Sequence, residues 1–229
     1  MFAQATRKRY SCDYVEYLRD NVFYNLPPIT RGLIIANVLV FAAEMLFGSS
    51  LTLPLALWPL QTGAFAAGFP SFQPWQLITY GFMHAGLWHL FVNMFAVFMF
   101  GGQLEQLLGP RRYLNLYLLS VIVAGVSQLL VAGMMSSDPY PTVGASGGVF
   151  GLLLAYAMYF PHRTIVLLIP PIPMPAWLFV TLYGLLELFL GVSGREIDVA
   201  HFAHLGGMLG AWLLIQYWRG RPPFGRRRR

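Results

Sequence analysis

The apolar positions of this chain gather into long runs separated by short polar or proline-rich stretches. Six runs, roughly 31–47, 87–107, 113–135, 144–160, 176–192 and 200–218, approach the length of about 20 mostly apolar residues that a membrane-spanning helix needs. Gly, Pro and isolated polar residues blur several of their ends, and the fifth starts only after the helix-resistant IPPIPMP at 169–175. The pattern predicts an all-α polytopic membrane protein built as a six-helix bundle.

Charge orients that bundle. Arg7, Lys8 and Arg9, the GPRRY after the second run, the PHR after the fourth and the closing RGRPPFGRRRR all fall on one side. On the other side the loop 48–80 and the loop around Asp138 carry no Lys or Arg, and the last loop has only Arg195. Positive residues are retained on the cytoplasmic side, so both termini are expected there. Residues 1–30 form a short cytoplasmic segment without the features of a cleaved signal peptide, 31–218 the spanning domain, and 219–229 a basic cytoplasmic tail. The loop 48–80 is uncharged and rich in Trp, Phe and Leu, which places it in or on the outer membrane interface.

Composition agrees with this picture and removes others. Charged residues make up 10% of the chain and the mean hydropathy is +0.57, against about 25% charged residues in a soluble domain. The net charge of +6 sits in clusters flanking apolar runs rather than on a folded basic face, so nucleic acid is not an expected partner. Cys12 is the single cysteine, which excludes an internal disulfide and a cysteine metal motif.

The few polar side chains within the runs fall at one depth. With the N-terminus inside, the second, fourth and sixth runs all begin at the outer face. HAGLWHLFVNMF brings His84, His89 and Asn93 there; GASGGVFG brings Ser146; AHFAHLGGMLG brings His201 and His204. Only His162 of the five histidines lies on the other side. Taken singly, a serine among glycines is usually a packing residue and a histidine at a helix end an interfacial anchor. Together they point to a functional site, because ionisable groups within spans are costly. His89 and Asn93 are four apart and share a helix face. Gly147 and Gly151 beside Ser146, and Ala203, Gly207 and Gly210 beside His204, form small-residue stripes that let two helices approach closely.

Such an approach would put a serine within reach of a histidine. A serine hydroxyl becomes nucleophilic when an adjacent base takes its proton. Free backbone N–H groups and the positive end of the helix dipole around Ser146 favour a developing oxyanion, and His89 and Asn93 could add side-chain donors. No acidic residue in these motifs stands where it would orient His204, so a Ser146–His204 dyad is the expected arrangement. Glu44 and Glu187 lie in spans without an assigned partner and are expected to be structural.

GASG, AHLGG, HAGLWHLFVN and GGQLEQLLGPRRY, in this order and over about residues 30–218, resemble the rhomboid family of intramembrane serine proteases of the prokaryotic six-span type. The resemblance implies Ser146 as nucleophile, His204 as general base, and His89, Asn93 and the Ser146 backbone N–H as the oxyanion hole. It implies supporting roles for His84 near a water-accessible mouth, for Gly144 and Gly147 in the GASG motif, for Phe150 stacked on the base, and for Glu105 tying the inner end of the second span to neighbouring backbone. Where some relatives have Tyr, this chain has Phe150, without the hydroxyl. The resemblance further implies a prokaryotic inner-membrane location, membrane-anchored protein substrates cut in or near their transmembrane segments, a gate beside the fifth span, and no cofactor. Two rivals are weaker: a metal site of His84, His89, His201 and His204, which leaves Ser146 and Asn93 idle, and a non-catalytic binder of the same fold, in which the serine or histidine is normally missing. GASGG also fits the G-x-S-x-G of soluble hydrolases, but that motif needs a strand before the serine.

Overall fold

The computed structural model describes residues 26–60, 70–135, 140–166, 171–193 and 200–220. The expectations for residues 1–25 with Cys12, for 61–69 of the long loop, for Asp138, for Arg195 and for the closing arginine run lie outside the described residues. Among the described residues, besides a 3-10 turn at Tyr80–Phe82, eight helices follow one another: α1 Pro28–Phe47, α2 Ser49–Leu55, α3 Gln76–Thr79, α4 Leu87–Leu108, α5 Pro110–Met135, α6 Ser146–Tyr159, α7 Ala176–Ser193 and α8 His201–Trp218. A two-stranded antiparallel ribbon, β1 Thr164–Val166 with β2 Pro173–Pro175, joins α6 to α7. The all-helical expectation misses this ribbon. Proline fixes an extended-compatible φ and lacks a donor, so the proline-rich segment serves as one strand of an isolated pair and the helix starts only at Ala176.

Among the described residues, four helices are long and apolar enough to cross a membrane: α1, α4, α5 over Pro110–Val131, and α7. The other two expected runs differ in kind. Helix α6 has 14 residues, ten of them buried, so it is the central helix, wrapped by protein on all sides. Helix α8 has 18 residues, but its His201, His204, glycines and Gln216 dilute its apolar character. It packs along both α5 and α6.

Small residues set how closely these three helices meet. A Cβ on Gly207 would lie 1.9 Å from the Gly147 carbonyl oxygen, and one on Gly151 would meet the Ser120 hydroxyl at 2.1 Å. Backbone therefore lies against backbone where α6 crosses α8. Gly210, expected to face α6, instead faces α5, against Val123 and the Leu119 carbonyl; Gly206 likewise meets Ser127. The small stripe on α8 is split between two neighbours.

Among the described residues, Arg112, Arg163 and Arg219 gather at one end of the bundle. The Arg163 guanidinium donates to the Gln103 side-chain oxygen, and Arg219 donates to the Met158 carbonyl at 3.2 Å. Arg112 lies over the Trp218 ring and Arg219 over the Tyr159 ring. At the same end the buried Glu105 carboxylate accepts from the Ile29 and Thr30 backbone N–H groups at 3.0 and 2.7 Å and from the Thr30 hydroxyl at 2.8 Å. Those N–H groups belong to the first turn of α1, where no earlier carbonyl can satisfy them, so α4 caps α1.

At the other end, the residues that follow α2 tuck inward. Leu57 and Thr142 exchange backbone hydrogen bonds of 2.9 and 3.0 Å, and Ala56, Leu57 and Trp58 are buried. The buried Gln76 side chain accepts from the Trp58 and Gln73 N–H groups and donates to the Pro54 carbonyl. This stitching fixes the chain that leads into α6.

Three outcomes follow. Gly207→Ala should lower stability by about 1–3 kcal/mol through overpacking. Gly32→Ala, on α1 with nothing within 4 Å of its Cβ, should be neutral or mildly stabilising; thermal unfolding in detergent compares the two. In the same assay Glu105→Ala should cost about 2–3 kcal/mol, because it strands buried donors.

Candidate active site

Ser146 is the first residue of α6, entered through Gly144 and Ala145. Gly144 has φ of +137°, a backbone conformation that a side chain would strain, and its N–H donates to the Tyr80 carbonyl at 3.0 Å. The Tyr80 hydroxyl in turn donates to the Val121 carbonyl at 2.7 Å, so the turn before Ser146 is braced against α5. A Cβ on Gly144 would come within 2.8–2.9 Å of the His89 ring. Glycine is thus required twice over here, by backbone conformation and by the imidazole lying against it.

His204 lies in the first turn of α8, and its Nε2 is 2.9 Å from the Ser146 Oγ. The residues are 58 apart in sequence; the glycine contact between α6 and α8, one residue beyond Ser146 and three beyond His204, brings them together. Phe150, one turn after Ser146, stacks on the His204 ring at 4.2 Å between centroids and 7° between planes. Tyr183 of α7 packs on the other side of Phe150 at 4.9 Å. The imidazole therefore has one face held by an aromatic ring.

The remaining candidates line the approach to this pair. His89 and Asn93 of α4 border, with Ser146, Phe150 and His204, a cavity of about 790 Å³ between α4, α6 and α7. The Ala85 N–H donates to His89 Nδ1 at 3.4 Å, which makes the opposite nitrogen, Nε2, the ring's own donor; that edge lies against Gly144. The Asn93 amide nitrogen is buried and has no acceptor among the described residues, so it holds an unused donor. Ser146, as the first helical residue, leaves its own backbone N–H and those of Gly147 and Gly148 without intrahelical acceptors. Three kinds of donor thus border the cavity that Ser146 also lines.

His84 is buried, its ring 5.1 Å from that of His89. Burial, with His89 beside it, pushes the His84 imidazole down to about 4, so it is neutral at physiological pH. Its backbone N–H donates to the Glu44 carboxylate of α1 at 3.0 Å, which gives Glu44 a partner that sequence reasoning left unassigned. Glu105 stands at the opposite end of the bundle, in the capping role already described.

One residue lies beyond what the motifs predict. The Glu187 Oε2 lies 2.8 Å from His204 Nδ1 and 2.7 Å from His201 Nδ1. An acid does stand where it can orient His204, supplied by α7, outside all of the motifs that pointed to the site. The available signal was a lone carboxylate within an apolar span, opposite two histidines at i and i+3 of another. The four histidines of the metal rival divide into two pairs, His84 with His89 and His201 with His204, the second pair being the one that Glu187 joins.

Comparison with known proteins points to one family. The rhomboid domain profile matches residues 71–220. The mitochondrial rhomboid protein 1 of Saccharomyces cerevisiae is 33% identical over 134 residues, 58% of this chain and 38% of that protein. A Bacillus subtilis protein named as a candidate rhomboid protease, YdcA, is 30% identical over 165 residues, 71% of this chain and 78% of that protein. The rhomboid protease GlpG of Yersinia pestis is 24% identical over 209 residues, 90% of this chain and 66% of that protein. A family profile covering most of the chain, matched in the region that holds α4 to α8 and every polar group gathered around Ser146, gives the conclusion: the chain belongs to the rhomboid family of intramembrane proteases.

Proposed function

We propose that this protein is a serine endopeptidase that cuts membrane-anchored proteins in or near their transmembrane segments, with Ser146 as nucleophile and His204 as general base. The observation that carries the reading is the 2.9 Å contact between the Ser146 hydroxyl and His204 Nε2 at the N-terminus of a buried helix. As Ser146 Oγ bonds to the scissile carbonyl carbon, its proton passes to His204 Nε2 and the carbonyl oxygen takes the negative charge. His89, the Asn93 amide and the Ser146 backbone N–H receive that charge. Collapse of the tetrahedral species breaks the C–N bond, and the departing amine takes the proton from His204. Water, deprotonated by the same nitrogen, then releases the acyl group from the serine. No cofactor is needed for any of these steps.

Geometry also supports a recessed site. Helix α6 is about 21 Å long at 1.5 Å per residue, shorter than the hydrocarbon core of about 30 Å. With its inner end level with the arginines, Ser146 sits below the outer surface. In this reading α1, α4, α5, α6, α7 and α8 are the six spans of one catalytic domain over 31–218. The arginine-lined end faces the cytoplasm of a prokaryotic cell, with 1–30 and 219–229 on that side, and the segment 48–80 rests at the outer interface. The cavity between α4, α6 and α7 admits a single substrate segment from the lipid, beside α7.

Ser146→Ala and His204→Ala should each abolish both cleavage of a transmembrane substrate and labelling by a fluorophosphonate, in protein that remains folded. Full cleavage by either variant would overturn the assignment. Asn93→Ala should lower kcat by about 10²–10³-fold, the usual effect of losing one oxyanion donor; an unchanged kcat would remove Asn93 from the hole.

A further inference from the structure

We infer that Glu187 is a positioning residue for the proposed base, so that the site works as a Ser146–His204–Glu187 triad rather than as a dyad. The inference rests on the protease reading above and adds a third member to it.

Three of the groups form an unbroken line. Ser146 Oγ, His204 Nε2, His204 Nδ1 and Glu187 Oε2 are linked at 2.9 Å on one side of the ring and 2.8 Å on the other. The carboxylate is 4% exposed, so water does not compete for it. One carboxylate oxygen is shared by two ring nitrogens, an arrangement satisfied when each ring donates to it. An ionised carboxylate only accepts, and its two partners must therefore both present Nδ1–H. For neutral His204 that leaves Nε2 bare, facing the serine hydroxyl. This is the tautomer a general base requires; the opposite one would point N–H at Ser146 and could not take its proton.

The carboxylate also acts once the proton has moved. His204 then carries a positive charge in a low-dielectric setting, 2.8 Å from a carboxylate oxygen. Phe150 holds the face of the ring and Glu187 holds its edge, so the imidazole cannot rotate away from Ser146. His201 has a separate part. It supplies the second N–H to the same oxygen, at 2.7 Å, which keeps the buried charge solvated while His204 is neutral.

The same three side chains lie close enough to suggest a metal ion. Their spacing argues otherwise. Ligands at about 2.0–2.1 Å from one tetrahedral zinc sit about 3.3 Å apart. Here nitrogen and oxygen are 2.7 and 2.8 Å apart, with the carboxylate oxygen itself between the two rings. That is hydrogen-bond spacing.

Two measurements test the proposal. The first is kinetic, with Glu187→Gln and Glu187→Asp purified in detergent beside wild type and Ser146→Ala. Glu187→Gln should lower kcat and the fluorophosphonate labelling rate by at least about 10²-fold, with KM changed less than about threefold, and Glu187→Asp should recover part of the loss. Wild-type kcat in Glu187→Gln overturns the triad while Ser146→Ala stays inactive; activity in Ser146→Ala instead overturns the protease reading itself. The second needs no variant. The chain has five histidines, so ¹⁵N-histidine labelling gives a countable spectrum, in which His201 and His204 should both be Nδ1–H tautomers. His204 found as the Nε2–H tautomer overturns the proposal, as does activity that a chelator removes and zinc restores.

Discussion

The contact on which the rest of this structure depends is backbone against backbone, where Gly147 of α6 meets Gly207 of α8 with no side chain between them. Neither helix gains much from burying apolar surface, since lipid is as apolar as leucine. They are held by close packing over a stripe of small residues, and the gap they leave is narrow enough for a serine on one helix to touch a histidine on the other. Everything polar in the site is arranged around that crossing. Phe150 and Glu187 fix the ring, Tyr80 and Gly144 fix the turn before the serine, and His89 closes in over Gly144.

A second constraint is the satisfaction of charge away from water. Each described acidic residue within the bundle has partners suited to it. Glu105 caps α1, Glu44 accepts from the His84 backbone, and Glu187 accepts from two imidazoles. In each case the carboxylate ties two helices or a helix and a loop, so the acids do the joining that hydrophobic burial does in a soluble core.

Much of this was legible in the sequence. Runs of apolar residues marked the helices, and the co-location of Ser146, His204, His89 and Asn93 followed from topology alone. Two kinds of information were not. The proline-rich ribbon before α7 needed tertiary context, because two strands of three residues have almost no periodicity to detect. Glu187 was visible as an anomaly and not as a partner. Its place depends on how α7 leans against α8, and motif spacing within one helix cannot encode the rotation of another. The face of a small stripe is underdetermined for the same reason: Gly210 points to α5 although its spacing from Gly207 suited α6 equally well.

Helix α7 is lightly held, burying only Ala176, Val180 and Glu187 among its 18 residues. Its Leu182, Leu185, Leu186, Leu188 and Phe189 face outward, and for them a neighbouring lipid chain is as good a contact as a neighbouring helix. For the carboxylate it is not. Any sideways excursion of the half of α7 that carries Glu187 trades apolar contacts at almost no cost but must break two hydrogen bonds to an anion, so the resistance of the wall is concentrated at a single point. The hold on this flank is therefore set by two hydrogen bonds at one carboxylate rather than by the amount of greasy surface it covers.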